Sequence, residues 1–189
     1  MKKLSIICLT FVMTLTTSFG QSKTDDVKTI FNHFLKLKDK KNYDKMFDYY
    51  HEEFLKIVPK SELLKDLAKL NSNSNYEYFV KDSEIILVSK SVKKNGFKYA
   101  LIKYGANTHI KFNDKTDIEI IEIIKQNVKN TYGEKYSYSE SNKEIVFHKE
   151  SKMMAVFNKN WKFFPYSEKL KPFITSIVPK EILAQVLSK

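Results

Sequence analysis

The chain has 189 residues and a formal charge of +11, and all 33 of its basic residues are lysine. Without arginine it lacks the planar fork that reads base edges and clasps phosphates at two points, which argues against specific nucleic-acid recognition. One cysteine and four glycines leave no material for an internal disulfide, a cysteine-ligated metal or a glycine-built phosphate cradle.

Lys2 and Lys3 precede an apolar run from Leu4 to Leu15, which ends in Thr16-Thr17-Ser18-Phe19-Gly20. This is the order of a secretory signal: a charged start, a short apolar stretch, then small residues where a signal peptidase reads. The run is shorter than the roughly 20 apolar residues a spanning helix needs, and it is studded with threonine. Residues 1–20 are therefore expected to be a signal peptide, and residues 21–189 a single exported α+β domain with no transmembrane segment. Its destination is the periplasm or the extracellular space of a bacterium. Cleavage would remove Cys8, so the exported chain has to rely on its core. The whole sequence holds fourteen phenylalanines and eleven tyrosines, and all but Phe11 and Phe19 lie beyond Gly20 to supply it.

From Asp25 the spacing predicts helices. Thr24 is placed to cap the first, Asp25 and Asp26 suit its N-terminal dipole, and Val27, Ile30, Phe31 and Phe34 follow at i, i+3, i+4 and i+7. Asn42-Tyr43-Asp44 breaks the period and opens a second helix with Met46, Phe47, Tyr50 and Phe54. Pro59 restarts the chain for a third, whose stripe is Leu63, Leu64, Leu67 and Leu70. Ile177-Val178-Pro179-Lys180 echoes Ile57-Val58-Pro59-Lys60, which we read as one helix-start chemistry used twice.

Beyond Asn75 the period becomes two. Tyr76, Tyr78 and Val80 alternate with polar residues, and two apolar runs, Glu84–Val92 and Phe97–Tyr104, flank Asn95-Gly96, a strong type I′ hairpin signal. Gly105-Ala106-Asn107 is expected to bend the chain before a strand from His109 to Phe112. Thr116-Asp117-Ile118-Glu119 opens a helix that runs to Tyr132-Gly133, with Ile120, Ile121, Ile124 and Val128 inward. Short strands are expected at Glu144–Glu150, Lys152–Asn158 and Trp161–Tyr166, with a turn at Glu150-Ser151. A C-terminal helix, broken at Pro172 and Pro179, carries Phe173, Ile177, Ile182, Leu183 and Val186. The expected architecture is α+β: N-terminal helices on a curved antiparallel sheet, with an extra helix near 117–132 and a C-terminal helix.

Helices first, as IFNHFLKLKDKKNYDKMFDYYHEEFL, then an antiparallel sheet ending in the strand NKNWKFF, resembles the nuclear transport factor 2-like superfamily. The resemblance covers Asp25 to Tyr166 and implies a cone, in which a curved sheet wraps a long helix around a pocket. It implies pocket walls at Tyr50, Tyr104 and His109, with Trp161 as an apolar floor. Enzymes of that superfamily line the pocket with Asp, His and Tyr as acids and bases.

In this chain no such constellation has a recognisable spacing, so no residue is assigned a catalytic role. His51 follows Tyr49-Tyr50 at what reads as a helix end, where a positive charge suits the dipole. No two of His33, His51, His109 and His148 stand at metal-ligand spacing, so neither metal nor cofactor is expected. The leading reading is a secreted, non-catalytic binding domain for a small apolar ligand or an envelope or extracellular partner. The alternatives are a cone-type isomerase, dehydratase or hydrolase of a small apolar molecule, and adhesion through a lysine-rich face. Plain core packing of the aromatics stands beside all three.

Overall fold

A computed structural model describes residues 23–133 and 135–188. The expected signal peptide and its cut after Gly20 lie outside the described residues. The first helix, α1 (Lys23–Asp39), begins early enough to contain Thr24, so that residue does not flank it. Its inward stripe is Val27, Phe31, Phe34 and Leu35, while Ile30 is only half-buried.

The expected second helix is two: α2 (Tyr43–Phe47) and α3 (Glu52–Ile57). The backbone between them leaves the helix to pair with a strand. Phe163 N–H donates to the Tyr49 carbonyl (2.8 Å), and His51 N–H donates to the Phe163 carbonyl (3.0 Å). His51 consequently caps the start of α3, its Nδ1 accepting from Glu53 N–H at 3.3 Å. A positive charge does not suit that position, and burial lowers the imidazole pKa. The third helix, α4 (Lys60–Asn71), starts at Pro59 as expected but buries none of its residues.

Six antiparallel strands follow: β1 (Tyr76–Val88), β2 (Val92–Lys94), β3 (Phe97–Phe112), β4 (Tyr136–Ser139), β5 (Glu144–Asn158) and β6 (Asn160–Tyr166). Their order is β1-β3-β5-β4, with β2 on β3 and β6 on β5, and the sheet is not closed. Asn95 (φ 51°) and Gly96 (φ 81°) make the expected two-residue hairpin between Lys94 and Phe97.

Two expected breaks are absent. β3 pairs with β5 without interruption from Lys98–Phe157 to Lys111–Glu144, so Gly105 does not bend the chain and Glu150-Ser151 is not a turn. The irregularity lies in β1 instead, between Lys81 and Glu84 and again between Ile85 and Leu87, with Asp82 at φ 54°. β4, which nothing in the sequence reading anticipated, pairs with β5 at residues 144–147. β6 pairs with the same edge at 152–158. Among the described residues, positions 148–151 of β5 have no strand on that side.

Side-chain alternation assigns the faces. Ile102, Tyr104, Ala106, Thr108, Ile110 and Phe112 of β3 share one face. Helix α1 covers its Ile102 end with Met153 and Phe163, and α5 (Ile118–Tyr132) covers its Phe112 end with Ile145 and Phe147. Ile121 and Val128 are the buried residues of α5, which Gly133 (φ 64°) terminates. The other face, at Tyr99, Leu101, Met154 and Val156, is covered by α6 (Lys171–Ile174) and α7 (Lys180–Leu187). Phe173, expected inside, is exposed. The stretch of sheet between α1 and α5 is fully covered by neither, although Phe31 and Lys38 of α1 reach Tyr104 at its near end.

Candidate functional site

That partly covered stretch is the floor of a cavity of about 730 Å³. Tyr104, Ala106 and Thr108 of β3 form the floor, and Phe34, Met46, Phe47 and Tyr50 form one wall. Leu63, Leu67 and Leu70 of α4 face it from above. This fits the incomplete burial of α4: Leu63, Leu64 and Leu67 are only partly buried against the core, and Leu70 stays 42 % exposed. Lys149, Glu150 and Ser151 stand at the rim, where β5 lacks a neighbouring strand. The volume lies within the roughly 300–1,000 Å³ of small-molecule sites.

Polar tips interrupt the apolar lining. Burial pushes the Tyr50 phenol far above its usual range, with Tyr104 adding to the effect. Burial likewise raises Tyr104. Both are neutral hydroxyls at ordinary pH and can donate or accept a hydrogen bond. Tyr50 packs at 5.0 Å from the Phe47 ring, and Tyr104 at 5.4 Å from Phe31.

Lys38 also lines this space, with Nζ 4.9 Å from the centroid of the Tyr104 ring. Desolvation lowers its pKa; the adjacent Asp39 opposes this, and Lys149 adds to it. The Asp39 carboxylate is occupied by Ser83, which donates from N–H (3.2 Å) and Oγ (2.6 Å).

Of the four residues expected in a pocket, the cavity brings together Tyr50 and Tyr104. His109 is on the opposite face of the sheet. Positions 104 and 109 differ by an odd number, so without a bend at Gly105 their side chains point in opposite directions. His109 stacks on Phe79 (4.7 Å, 11° between planes), its Nδ1 is 3.0 Å from Glu144 Oε1, and its Nε2 is buried with no partner. Trp161 is in the core beneath α1, donating from Nε1 to Asp26 Oδ2 at 3.2 Å. It borders a second cavity of about 540 Å³, with His33 and Tyr49, rather than the first.

The lysines were missed, although each carries a signal. Lys38 continues the inward stripe of α1 at i+7 from Phe31 and i+4 from Phe34. Lys149 continues the inward row Ile145, Phe147 of β5 towards Ser151 and Met153.

Among the described residues there is no group of three His, Cys, Asp or Glu that could hold a metal ion, and no helix long and apolar enough to cross a membrane. Compared with known proteins, the chain matches no family model, no curated protein and no solved structure.

Proposed function

We propose that the protein is an exported binding domain that holds a small apolar molecule in the cavity between α1, α4 and the sheet without transforming it. The observation that carries this reading is α4: Leu63, Leu67 and Leu70 line a hollow of about 730 Å³, and none of them is fully buried although Leu63 and Leu67 also touch the core. A leucine stripe left facing a void forgoes burial and dispersion contacts, and an apolar occupant restores them.

Acid–base catalysis has less support. The His109–Glu144 pair lies on the other face of the sheet, and the nitrogen that a general base would present, Nε2, is sealed from solvent. Helices preceding a sheet that bears the cavity on its helix-covered face is also the layout the nuclear transport factor 2-like resemblance implies. Export rests on the Lys2-Lys3 start, the apolar run and the Ser18/Gly20 pair. Intact mass of the protein recovered outside the cytoplasm is expected to begin at Gln21.

Binding is tested by titrating the neutral dye Nile red. Saturable uptake with one site per chain and a blue-shifted emission is expected, and Leu67→Trp, which fills the space under α4, is expected to abolish it. Absence of saturable uptake, or uptake unchanged in Leu67→Trp, would overturn the reading.

A further inference from the structure

We infer that the molecule held in this cavity is an amphiphile with a single anionic head, a long-chain carboxylate, whose head sits between Lys38 and Lys149 while its apolar body lies under α4. The inference rests on the binding reading above and adds the chemistry of the ligand.

Five lysines line the cavity: Lys38, Lys41, Lys103, Lys149 and Lys152. Lys103 pairs with Glu150 at 2.6 Å, and Lys41 with Glu77 at 3.5 Å. Lys38, Lys149 and Lys152 have no carboxylate within ion-pair distance among the described residues; Lys152 alternates to the opposite face of β5 from Lys149, and Asp39, next to Lys38, accepts two hydrogen bonds from Ser83. Lys38 lies over the face of Tyr104, a partial substitute for a counter-ion, and the Asp39 charge offsets part of its desolvation.

Placing an ammonium on the inward stripe of α1 is costly unless something compensates it. A second ammonium on the inward row of β5, close enough to disfavour the charge on the first, adds to that cost. One anion accepted between the two relieves both. Tyr50 and Tyr104, held neutral by burial, supply hydroxyl donors to the same cavity. Phe34, Met46, Leu63 and Leu67 supply the apolar part of the lining, which also holds polar side chains such as Asp66, Thr108 and Ser151. A largely apolar hollow with Lys38 and Lys149 at its lining has the polarity to take a fatty carboxylate. The gap in the β5 edge at 148–151 leaves Lys149 in solvent, so the head can be reached from outside.

The test is calorimetric titration of the full exported chain with dodecanoate and, separately, with dodecanol, which shares the tail and lacks the charge. Dodecanoate is expected to bind about tenfold or more tightly than dodecanol, the equivalent of about 1.4 kcal/mol. Lys38→Met and Lys149→Met each weaken dodecanoate alone, and the double variant binds the two compounds equally. If Lys38→Met fails to fold, the exposed Lys149→Met carries the comparison. Equal affinity for acid and alcohol in the unaltered protein, or a double variant that still prefers the acid, would overturn the anionic head and leave the apolar cavity standing. Failure of both compounds to bind would overturn the cavity reading with it. Capture by phosphatidylglycerol vesicles without uptake of dodecanoate would assign the lysines to a membrane surface, and would equally overturn the inference.

Discussion

Phe31 of α1 meets Phe163 of β6 edge to face, with ring centroids 5.0 Å apart and the planes at 74°. Neither ring is exposed, and Phe31 also touches Phe34 and Tyr104. This contact ties the first helix to the sheet, and the same segment of β6 holds the backbone between α2 and α3. Phe31→Ala is therefore expected to cost about 3–5 kcal/mol in urea denaturation. Lys36→Ala, on the exposed side of the same helix, should change stability by less than about 0.5 kcal/mol. Similar costs at the two positions would mean that α1 does not present this face to the sheet.

The two helices with matching starts give a second comparison. Pro59 and Pro179 precede α4 and α7 with nearly the same backbone angles, φ −58° and ψ 143° against φ −53° and ψ 139°. Their burial differs completely: α7 buries Ile182, Leu183 and Val186, and α4 buries nothing. Leu183→Ala is expected to cost about 2–5 kcal/mol. Leu67→Ala, removing a half-buried side chain that faces the hollow, is expected to cost about 1 kcal/mol or less. A loss at Leu67 equal to that at Leu183 would show that the space under α4 is closed in solution.

Much of this arrangement was legible in the residues, for identifiable reasons. The stripe of α1, the hairpin at Asn95-Gly96 and the helix ending at Gly133 each depend on local spacing or a required backbone angle, and each is found. What failed depended on distant partners. Glu150-Ser151 reads as a turn because two polar residues interrupt apolar runs, yet there they mark the rim of a cavity on an unbroken strand. His109 was placed with Tyr104 because a bend was expected at Gly105, and the continuous β5 partner removes that bend. α2 and α3 part because β6, more than a hundred residues away, claims the intervening backbone. The cavity was half visible, in Tyr50 and Tyr104. From the sequence Lys38 reads as one of several lysines that suit the dipole at the end of α1, and Lys149 was not singled out in a chain where lysine is everywhere.

The Tyr166–Glu168 pair makes stability depend on pH at both ends of the scale. Tyr166 donates to Glu168 Oε1 at 2.7 Å. Desolvation first, and this bond second, raise the phenol from 10.0 to about 12. Between those values the folded chain holds a proton that the unfolded chain has lost, so stability falls as pH rises through that window. The bond from Tyr166, then that from Lys171, lowers the Glu168 carboxyl from 4.5. That contribution is present above pH 4.5 and is lost as pH falls through the folded value. Tyr166→Phe should flatten the fall of stability above pH 10, and reduce the fall below 4.5, when denaturation midpoints are measured across the range. Parallel profiles for the variant and the unaltered chain would count against the pairing.

Gly105 sits in the middle of β3 with no unusual backbone angle, and it is small for a different reason. A Cβ built at this position meets His148 at Nε2 and, at 2.6 Å, at Cε1, with Ile86 Cδ1 at 3.2 Å. The obstacle is the tip of an exposed ring, held by a 3.3 Å contact between His148 Nδ1 and Asn107 Oδ1. A glycine within a strand costs roughly 0.5–1 kcal/mol relative to alanine, so two effects oppose each other here. In the native background Gly105→Ala displaces the imidazole and gives up the Asn107 contact, leaving a net change of less than about 1 kcal/mol in either direction. In a His148→Ala background the obstacle is gone, and the same substitution should stabilise by about 0.5–1 kcal/mol. A double-mutant cycle on these two positions measures the difference directly. Coupling indistinguishable from zero would mean that His148 does not rest over Gly105, and that the glycine answers to some other neighbour.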